Sequence, residues 1–448
     1  MRCSFRVALF LAASVVAAFV LTPVHAAVRP PKLQYQITTL PNGLRLILSE
    51  DHSTPIVHVA VWYHVGSKNE RPGRTGFAHL FEHMMFKGSK NVEPDAHTSI
   101  VSSVGGRSNA YTTEDVTVLW QTVPAHYLPL ALWLEADRMA TLRVEDEAFR
   151  REREVVKEER RMRIENQPYG RLSEIIYDHA FVAHPYKHPT IGSMADLEAA
   201  SIADVRDFHN TYYVPENATV TVVGDFDSAQ TLQMVSQYFG RVPKAPRGVP
   251  RDIPREPPMT QERRVVVEES WPLPAVVVAY HVPYDGHPDA YPLHITSKIL
   301  SDGQSARISR ELIYNQRLCL SAFGSGNITE HPNLFFAVCI VQPGRTPAEA
   351  EKALIAEFDK LKTGGVSAHE LQRAQNQFAR DYILGRESNE DKAMHLAHAA
   401  VIHNDITTAD GEFDIFSNTT VADVQRVARS HFNQSNRVVL HVLPKGSR

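Results

Sequence analysis

Short apolar runs and longer amphipathic segments divide the chain into predicted strands and helices. The short runs are rich in β-branched and aromatic residues and end at polar turns, as β-strands do. The longer segments repeat apolar residues with the spacing of an amphipathic helix. The predicted strands are Gln34–Thr39, Leu44–Leu48, Val57–Val65, Thr219–Val223, Val276–Val282, Leu318–Gly324 and Asn333–Val341. The predicted helices are His79–Lys87, Tyr127–Arg143, Glu147–Ile164, Ile202–Tyr212 and Ala290–Leu300. This order of elements predicts an α+β fold, with mainly antiparallel sheets and helices packed on one face.

A proline-rich segment separates two parts of similar length. Residues 243–258 read PKAPRGVPRDIPREPP. Proline fixes its own φ angle and lacks an N–H donor, which excludes a helix or a central strand here. We expect an extended linker between an N-terminal domain, residues 27–242, and a C-terminal domain, residues 259–448.

The two parts resemble each other around one strand and one helix. In each part a valine-rich strand is followed by a polar turn and then by an amphipathic helix. When the two helices are aligned, the paired residues are His79 with His294, Glu82 with Ser297, and His83 with Lys298. The similarity predicts a duplicated unit in which only the first copy keeps metal-binding groups. The alternative is a chance likeness of two strand–helix units.

Composition and the N-terminal segment bear on compartment and partners. Apolar residues make up 43% of the chain, charged residues make up 22%, and the net charge is -4, as in ordinary globular proteins. No long basic run suggests nucleic acid as a partner. Arg2 and Arg6 precede an apolar run, Val7–Leu21, that is shorter than the roughly 20 residues needed to span a bilayer. Residues 1–26 are therefore predicted to be a secretory signal peptide, with a retained membrane anchor as the alternative. No other stretch is long enough to span a membrane, and the expected location is periplasmic or secreted.

Two cysteines remain after the predicted signal segment. Folding the two strands around them into a hairpin places Cys319 opposite Cys339. A cross-strand disulfide and two separate buried thiols both fit the sequence. The small number of cysteines favours a periplasmic protein over a disulfide-built extracellular module.

The predicted helix at His79–Lys87 contains His79-Leu80-Phe81-Glu82-His83. Positions four apart share a helix face, so both imidazoles can reach one ion at about 2.0–2.1 Å. Glu82 lies near the same face and can take a proton from an attacking water. This is the reverse order of the His-Glu-x-x-His motif, and it supports the same chemistry. The alternative is a helix whose histidines are satisfied by backbone groups or neighbouring side chains.

A catalytic zinc usually takes three protein ligands and keeps one position for water. The glutamate-rich predicted helix offers Glu152, Glu158 and Glu159 as the third ligand. Glu152 and Glu159 lie two turns apart on one face, and Glu158 lies about 100° away from Glu159. The spacing alone leaves the choice open.

The inverted motif and the later glutamate-rich helix resemble the pitrilysin/insulinase family of zinc peptidases, which includes the mitochondrial processing peptidases. That family carries His-x-x-Glu-His and a glutamate ligand at a similar distance downstream. The resemblance assigns Glu159 as the third ligand of a single zinc ion and Glu152 as a supporting carboxylate. It also implies that Asn109 and Ala110 lie on an edge strand that pairs with substrate.

The second half resembles the family less closely. Residues 301–308 are similar to a glycine-rich family segment that ends in Ser-Arg-Leu, which makes Arg307 a candidate substrate-binding residue. Leu320 stands where many members carry a tyrosine, and Asn333–Pro347 offers Arg345 but no tyrosine. Short members often pair two chains, so the resemblance implies a homodimer or a heterodimer with a homologous chain.

The resulting hypothesis is a secreted zinc metalloendopeptidase that encloses peptides or unfolded polypeptides in a clamshell, with Glu82 as general base. The first alternative is a non-catalytic homologue that acts as a scaffold or as a subunit of a peptidase complex. The second is a metal-free periplasmic module that only binds peptides.

Overall fold

Two β-sheets form the framework of the part of the chain that the structure describes, residues 29–446. The structure is a computed structural model. The strands are β1 (Gln36–Thr39), β2 (Arg45–Glu50), β3 (Ile56–Tyr63), β4 (Arg107–Thr112), β5 (Thr117–Pro124), β6 (Ala218–Gly224), β7 (Arg263–Glu269), β8 (Ala275–Val282), β9 (Cys319–Gly326), β10 (Asn333–Val341) and β11 (Arg437–Pro444). The first sheet has the order β1-β2-β6-β3-β5-β4 and the second has the order β7-β11-β8-β10-β9.

Helices follow the strands in both halves of the chain. They are α1 (Phe77–Met84), α2 (Ala96–Ser103), α3 (Leu128–Thr141), α4 (Asp146–Arg160), α5 (Leu172–Ala180), α6 (Met194–Ala199), α7 (Ile202–Tyr212), α8 (Ser228–Phe239), α9 (Ala290–Ser301), α10 (Pro347–Lys362), α11 (Ala368–Leu384), α12 (Asn389–Val401), α13 (Thr408–Ser417) and α14 (Val421–His431). A π-helical turn, Arg161–Glu165, continues α4. The elements that the sequence predicted are present, with ends shifted by a few residues.

The two sheets repeat one topology. In each sheet a parallel pair, β2–β6 or β7–β11, is followed by three antiparallel neighbours. The first α-helix after β3 is α1, and α9 follows the corresponding strand of the second sheet, β8. This repetition agrees with the duplication expected from the sequence, and it confirms the predicted α+β architecture of mainly antiparallel sheets.

The main core lies on one face of the first sheet. Val57, Val59, Val61 and Tyr63 alternate along β3 and point into a cluster that includes the apolar sides of α1, α3 and α8. This alternation is the two-residue period of a strand.

Each sheet buries its other face against a helix from the other half. Ala60 and Trp62 of β3 pack with Ala397 and Val401 of α12. In return, α5 from the first half packs on β8, β10 and β11 of the second sheet. Because both faces of the sheets are covered, β3 and β8 are apolar at nearly every position.

The structure describes the expected linker but not the predicted signal segment. Residues 243–258, the expected linker, contain neither helix nor strand. The predicted signal segment, residues 1–26, lies outside the described residues. Within the described range, no helix combines the length and apolarity needed to cross a membrane.

Cys319 and Cys339 form a disulfide, which decides between the two alternatives left by the sequence. The predicted register was wrong, because Cys339 lies opposite Ala322 and Cys319 lies opposite Val341. The register shifts between Ile340 and Val341, and this irregularity separates the two cysteines along the hairpin.

Candidate metal centre

Helix α1 is fixed by its apolar side and by a buried cap. Leu80, Phe81 and Met84 are fully buried against the first sheet. Both oxygens of the buried Glu70 carboxylate accept from the first amides of the helix, Gly76 N–H at 2.8 Å and Ala78 N–H at 2.8 Å. These amides have no partner within the helix, and Glu70 satisfies them.

Gly76 gives the start of α1 its geometry. Its φ angle is +93°, which favours glycine. A Cβ at this position would lie 2.7 Å from the carbonyl oxygen of Ile191. Because of this close contact, the N-terminal end of α1 packs directly against the segment that precedes α6.

The two imidazoles of α1 face one carboxylate of α4. His79 Nε2 lies 3.7 Å from Glu159 Oε2, and His83 Nε2 lies 3.4 Å from the same oxygen. The imidazole rings are 4.9 Å apart, at 69° to each other. Ligands placed tetrahedrally about 2.0–2.1 Å from one ion stand roughly 3.4 Å apart, so these spacings suit a shared cation.

The donor set fits zinc in its protonation as well as in its spacing. Burial lowers the pKa of His79 to about 4, and His83 adds to this effect. The imidazole is then neutral near pH 7 and has a lone pair to offer. His79 Nδ1 is buried without a hydrogen-bond partner among the described residues, and 3.7 Å from Nε2 to Glu159 exceeds a hydrogen bond. A cation shared with Glu159 would give Nε2 a partner, and Nδ1 would then carry the hydrogen of the ring.

The structure separates the three glutamates that the sequence could not rank. Glu158 pairs with Arg161 and leaves 58% of its side chain exposed. Glu159 contributes to the group of potential metal ligands and is held from its other oxygen by Arg163, at 2.6 Å. Glu152 is buried next to His83, with its Oε2 3.7 Å from His83 Nδ1.

Glu152 of α4 contacts a lysine that follows α1. Its Oε1 lies 3.0 Å from Lys87 Nζ, and Lys87 also reaches Asp95. Burial raises the pKa of Glu152, but the nearby His83 and Lys87 outweigh this effect and lower the pKa overall. A charged carboxylate on the Nδ1 side of His83 orients the ring so that Nε2 faces Glu159.

Glu82 stands beside this group with a partner of its own. Thr112 Oγ1, at the end of β4, donates to Glu82 Oε2 at 2.8 Å. Burial raises the pKa of Glu82, and the Thr112 hydrogen bond opposes that shift. Glu82 is therefore held by an edge-strand residue and lies outside the set of potential ligands.

The remaining predicted site residues lie in different places. Asn109 is exposed and Ala110 is buried on β4, the last strand of the first sheet, which pairs with β5. Arg307 is not brought to this group. Its side chain is 5% exposed, and it binds the carboxylate of Glu370 and the carbonyl of Gly365.

Sequence reasoning missed several residues that shape the site. Glu70 and Thr112 come from separate elements, and nothing in the spacing pointed to them. Arg163 lies four positions after Glu159 in the continuing helix, and that spacing is a signal for an ion pair.

Comparison with known proteins places this geometry in a family. Residues 45–193 match the family model described as Insulinase (Peptidase family M16), and residues 199–378 match the model described as Peptidase M16 inactive domain. Zinc protease PqqE of Helicobacter pylori is 32% identical over 423 residues, which cover 94% of this chain and 95% of that protein. The chain belongs to the insulinase family, peptidase family M16, as the sequence resemblance predicted.

Solved structures share the fold. The crystal structure of a protease from Helicobacter pylori matches with a TM-score of 0.88 at 32% identity, covering 92% of this chain and all (100%) of that chain. The periplasmic protease PqqL from Escherichia coli matches with a TM-score of 0.74 at 18% identity, over 92% of this chain and 48% of that one. These matches confirm the two-domain architecture with two sheets.

Proposed function

We propose that this chain is an exported zinc metallopeptidase that hydrolyses peptides or unfolded polypeptides. The observation that carries the proposal is the convergence of His79, His83 and Glu159 on one place. Glu82 lies beside them and is not one of the potential ligands. Relatives named zinc proteases support the choice of metal.

The residues of the chain divide the chemistry between holding the ion and moving a proton. His79, His83 and Glu159 would hold the zinc ion, which would supply polarisation of the scissile carbonyl and a more acidic water. Thr112 holds Oε2 of Glu82, so Oε1 is the oxygen that accepts the proton of the attacking water. Glu82 then gives that proton to the leaving amine, and no side chain becomes covalently attached to substrate.

Strand β4 is the proposed binding place for the substrate backbone. It ends the first sheet and also carries Thr112, which touches the proposed base. An extended peptide that adds to this edge would pair with the backbone near Asn109 and Ala110. Strand addition requires an extended segment, so peptides and unfolded chains are the expected substrates.

Three observations support export to a periplasm. The N-terminal segment has the pattern of a signal peptide, Cys319 and Cys339 form a disulfide, and one structural neighbour is named a periplasmic protease. We further propose that the chain works as a homodimer or with a homologous chain, because Arg307 is engaged elsewhere and Leu320 replaces the family tyrosine.

A non-catalytic role as a scaffold or partner subunit is the second candidate. The match of the second half to a model described as an inactive domain favours it. The complete set of potential ligands and base in the first half favours catalysis.

The proposal is tested by metal removal. A chelator should abolish hydrolysis of an unstructured peptide by the mature chain, assayed alone and with a homologous chain, and zinc should restore it while magnesium should not. Hydrolysis that persists at the same rate in metal-free protein would contradict the proposal. Peptide binding without hydrolysis, unchanged by the chelator, would identify a metal-free binding module instead.

A further inference from the structure

A second group of two imidazoles and a carboxylate lies in the other half of the chain. Asp285 follows β8, His398 lies in the last turn of α12, and His403 comes just after that helix. Their potential ligand atoms all lie within 4.8 Å of one another, a limit that His79, His83 and Glu159 also meet. The peptidase mechanism uses none of these three residues.

The second group repeats the spacing of the first. Asp285 Oδ2 lies 3.4 Å from His398 Nε2, and Asp285 Oδ1 lies 3.3 Å from His403 Nε2. The two imidazole rings are 5.2 Å apart, at 80° to each other. In the first group the corresponding nitrogen-to-oxygen distances are 3.4 and 3.7 Å.

The turn after α12 brings the two histidines together. The helix ends at Val401, and Asn404 adopts the left-handed conformation with φ of +52°. Asparagine tolerates this conformation better than most residues. The chain therefore folds back and returns His403 to the side of His398.

Hydrogen bonds around His403 determine which ring nitrogen carries the hydrogen. The Thr408 hydroxyl donates to the carbonyl of Asp405 at 2.8 Å. It must then accept from His403, whose Nδ1 lies 2.8 Å away, so Nδ1 carries the hydrogen. In the neutral ring, Nε2 has the lone pair and points it toward a carboxylate.

A lone pair and a carboxylate oxygen at 3.3 Å repel each other unless a proton on the ring or a metal cation lies between them. The His403 side chain is 5% exposed, and its Nε2 is buried without a hydrogen-bond partner among the described residues. Buried polar atoms in native proteins are normally satisfied. This unpartnered nitrogen, aimed at Asp285, is independent evidence for a missing positive group.

We propose that Asp285, His398 and His403 bind one divalent transition-metal ion of the zinc type. Two imidazoles and one carboxylate suit zinc, cobalt and nickel, whereas calcium and magnesium prefer oxygen ligands alone. His398 leaves 45% of its side chain exposed, which gives the ion a path from solvent.

The site lies within the second half, where α12 leaves that half to pack on the first sheet. Helix α12 packs on β3 and β6 of the first sheet. Asp285 is tied to the second half by its backbone N–H, which donates to the carbonyl of Thr329 at 2.7 Å. A bound ion would therefore tie α12 to the second half, to which this helix belongs. This role would stabilise the fold and would be separate from hydrolysis.

The test counts metal ions with the first site removed. The full mature chain carrying His79→Ala and His83→Ala, stripped of metal and dialysed against micromolar zinc, should bind one zinc ion per chain. Adding Asp285→Asn or His398→Gln should abolish that binding, whereas His369→Gln, at an exposed histidine in the same half, should not. Zinc should raise the melting temperature of the double variant and of its His369→Gln control, and should leave the other variants unchanged.

The unmutated chain provides a check that does not depend on variant folding. After metal removal and reloading it should bind two zinc ions, and circular dichroism should confirm that the variants keep their secondary structure. Binding of a single ion that is lost with His83→Ala and kept with Asp285→Asn would overturn this inference and leave the proposed peptidase intact. In that case His403 is protonated and forms a plain ion pair with Asp285.

Discussion

At the scale of single residues, the centre depends on side chains that hold other side chains. Arg163 holds one oxygen of Glu159 while the other oxygen faces both imidazoles. Thr112 does the same for Glu82 from the edge strand. Each of these contacts restricts one rotatable carboxylate, which lowers the cost of ordering it when an ion and a substrate bind.

Thr112 offers a direct test of this positioning. Thr112→Val keeps the shape of the side chain but removes the donor to Glu82, so turnover should fall about five- to tenfold, the equivalent of ~1–1.5 kcal/mol. Zinc content and KM should change little, since Thr112 contacts neither the ligands nor the ion. Thr112→Ser restores the hydroxyl and should recover most of the rate. Equal rates for all three proteins would show that this hydrogen bond plays no part in catalysis.

At the scale of elements, the cap on α1 connects folding to metal binding. Glu70 occupies the N-terminal end of the helix that carries both histidines, and its side chain is fully buried. Changing this carboxylate alters where the helix begins and therefore where its side chains point.

Glu70→Gln should weaken both the fold and the site. The two backbone N–H groups bond to different oxygens of Glu70, and glutamine places an NH2 group where one of those oxygens lies. One buried donor then loses its partner, at a cost of about 1–3 kcal/mol in the free energy of unfolding. Zinc affinity should fall as well, because the helix start is less well fixed. Glu349→Gln changes an exposed capping-box residue on the distant helix α10, where glutamine caps as well as glutamate, and should alter neither stability nor zinc affinity appreciably. Chemical denaturation and zinc titration of the two variants separate these outcomes, and unchanged affinity in Glu70→Gln would contradict the link.

Local elements were predictable because their signals are local. The helix with His79 and His83, the long helix with Glu159, and the valine-rich strands follow from periodicity within short windows. The packing of α5 and α12 on the sheet of the other half was not predictable. It depends on contacts between residues far apart in the sequence, such as Trp62 with Val401. The predicted pairing of Cys319 with Cys339 was wrong for a smaller reason. A single irregularity in β10 shifts the register, and the alternation of side chains in the sequence does not indicate it.

The same division applies to the site. The motif fixed three of the four central residues, and the resemblance to a family was needed to choose Glu159 over Glu152 and Glu158. The resemblance also named Arg307 as a candidate for substrate binding, and the structure shows that its side chain is buried and paired with Glu370.

At the scale of the whole molecule, a buried ionic cluster joins the two halves near the tip of the β9–β10 hairpin. Glu330 from the second half pairs with Lys68 and lies 2.6 Å from His64 Nε2. Lys68 also lies 2.9 Å from Asp115, whose other oxygen accepts from the backbone N–H of Glu330 at 3.2 Å. The cluster therefore cross-links the halves with charged hydrogen bonds, which are stronger than neutral ones.

This cluster should make the stability of the whole fold depend on pH. Burial alone raises the pKa of Glu330, but the hydrogen bond from His64 and the charge of Lys68 outweigh it and lower the pKa to about 2 from its ordinary value of 4.5. A carboxyl whose pKa is lowered by folding stabilises the fold above its ordinary pKa, and that contribution is lost as the pH falls from 4.5 toward 2.

Comparison with Glu330→Gln isolates the effect of this group. The wild-type protein should be more stable than the variant at neutral pH, and the difference in free energy of unfolding should shrink as the pH falls through that window. Glu93→Gln is the control, because Glu93 is 80% exposed and its distant pair with Arg143 contributes little. A difference that stays constant down to acid pH would contradict the role given to Glu330.

The most direct measurement of the central claim is the rate of peptide hydrolysis by Glu82→Gln at known zinc content. With His79, His83 and Glu159 intact, the variant should bind as much zinc as the wild-type chain, and its turnover should fall by about 10²–10⁴-fold because the proton acceptor is gone. Wild-type turnover by a fully zinc-loaded Glu82→Gln protein would contradict the account.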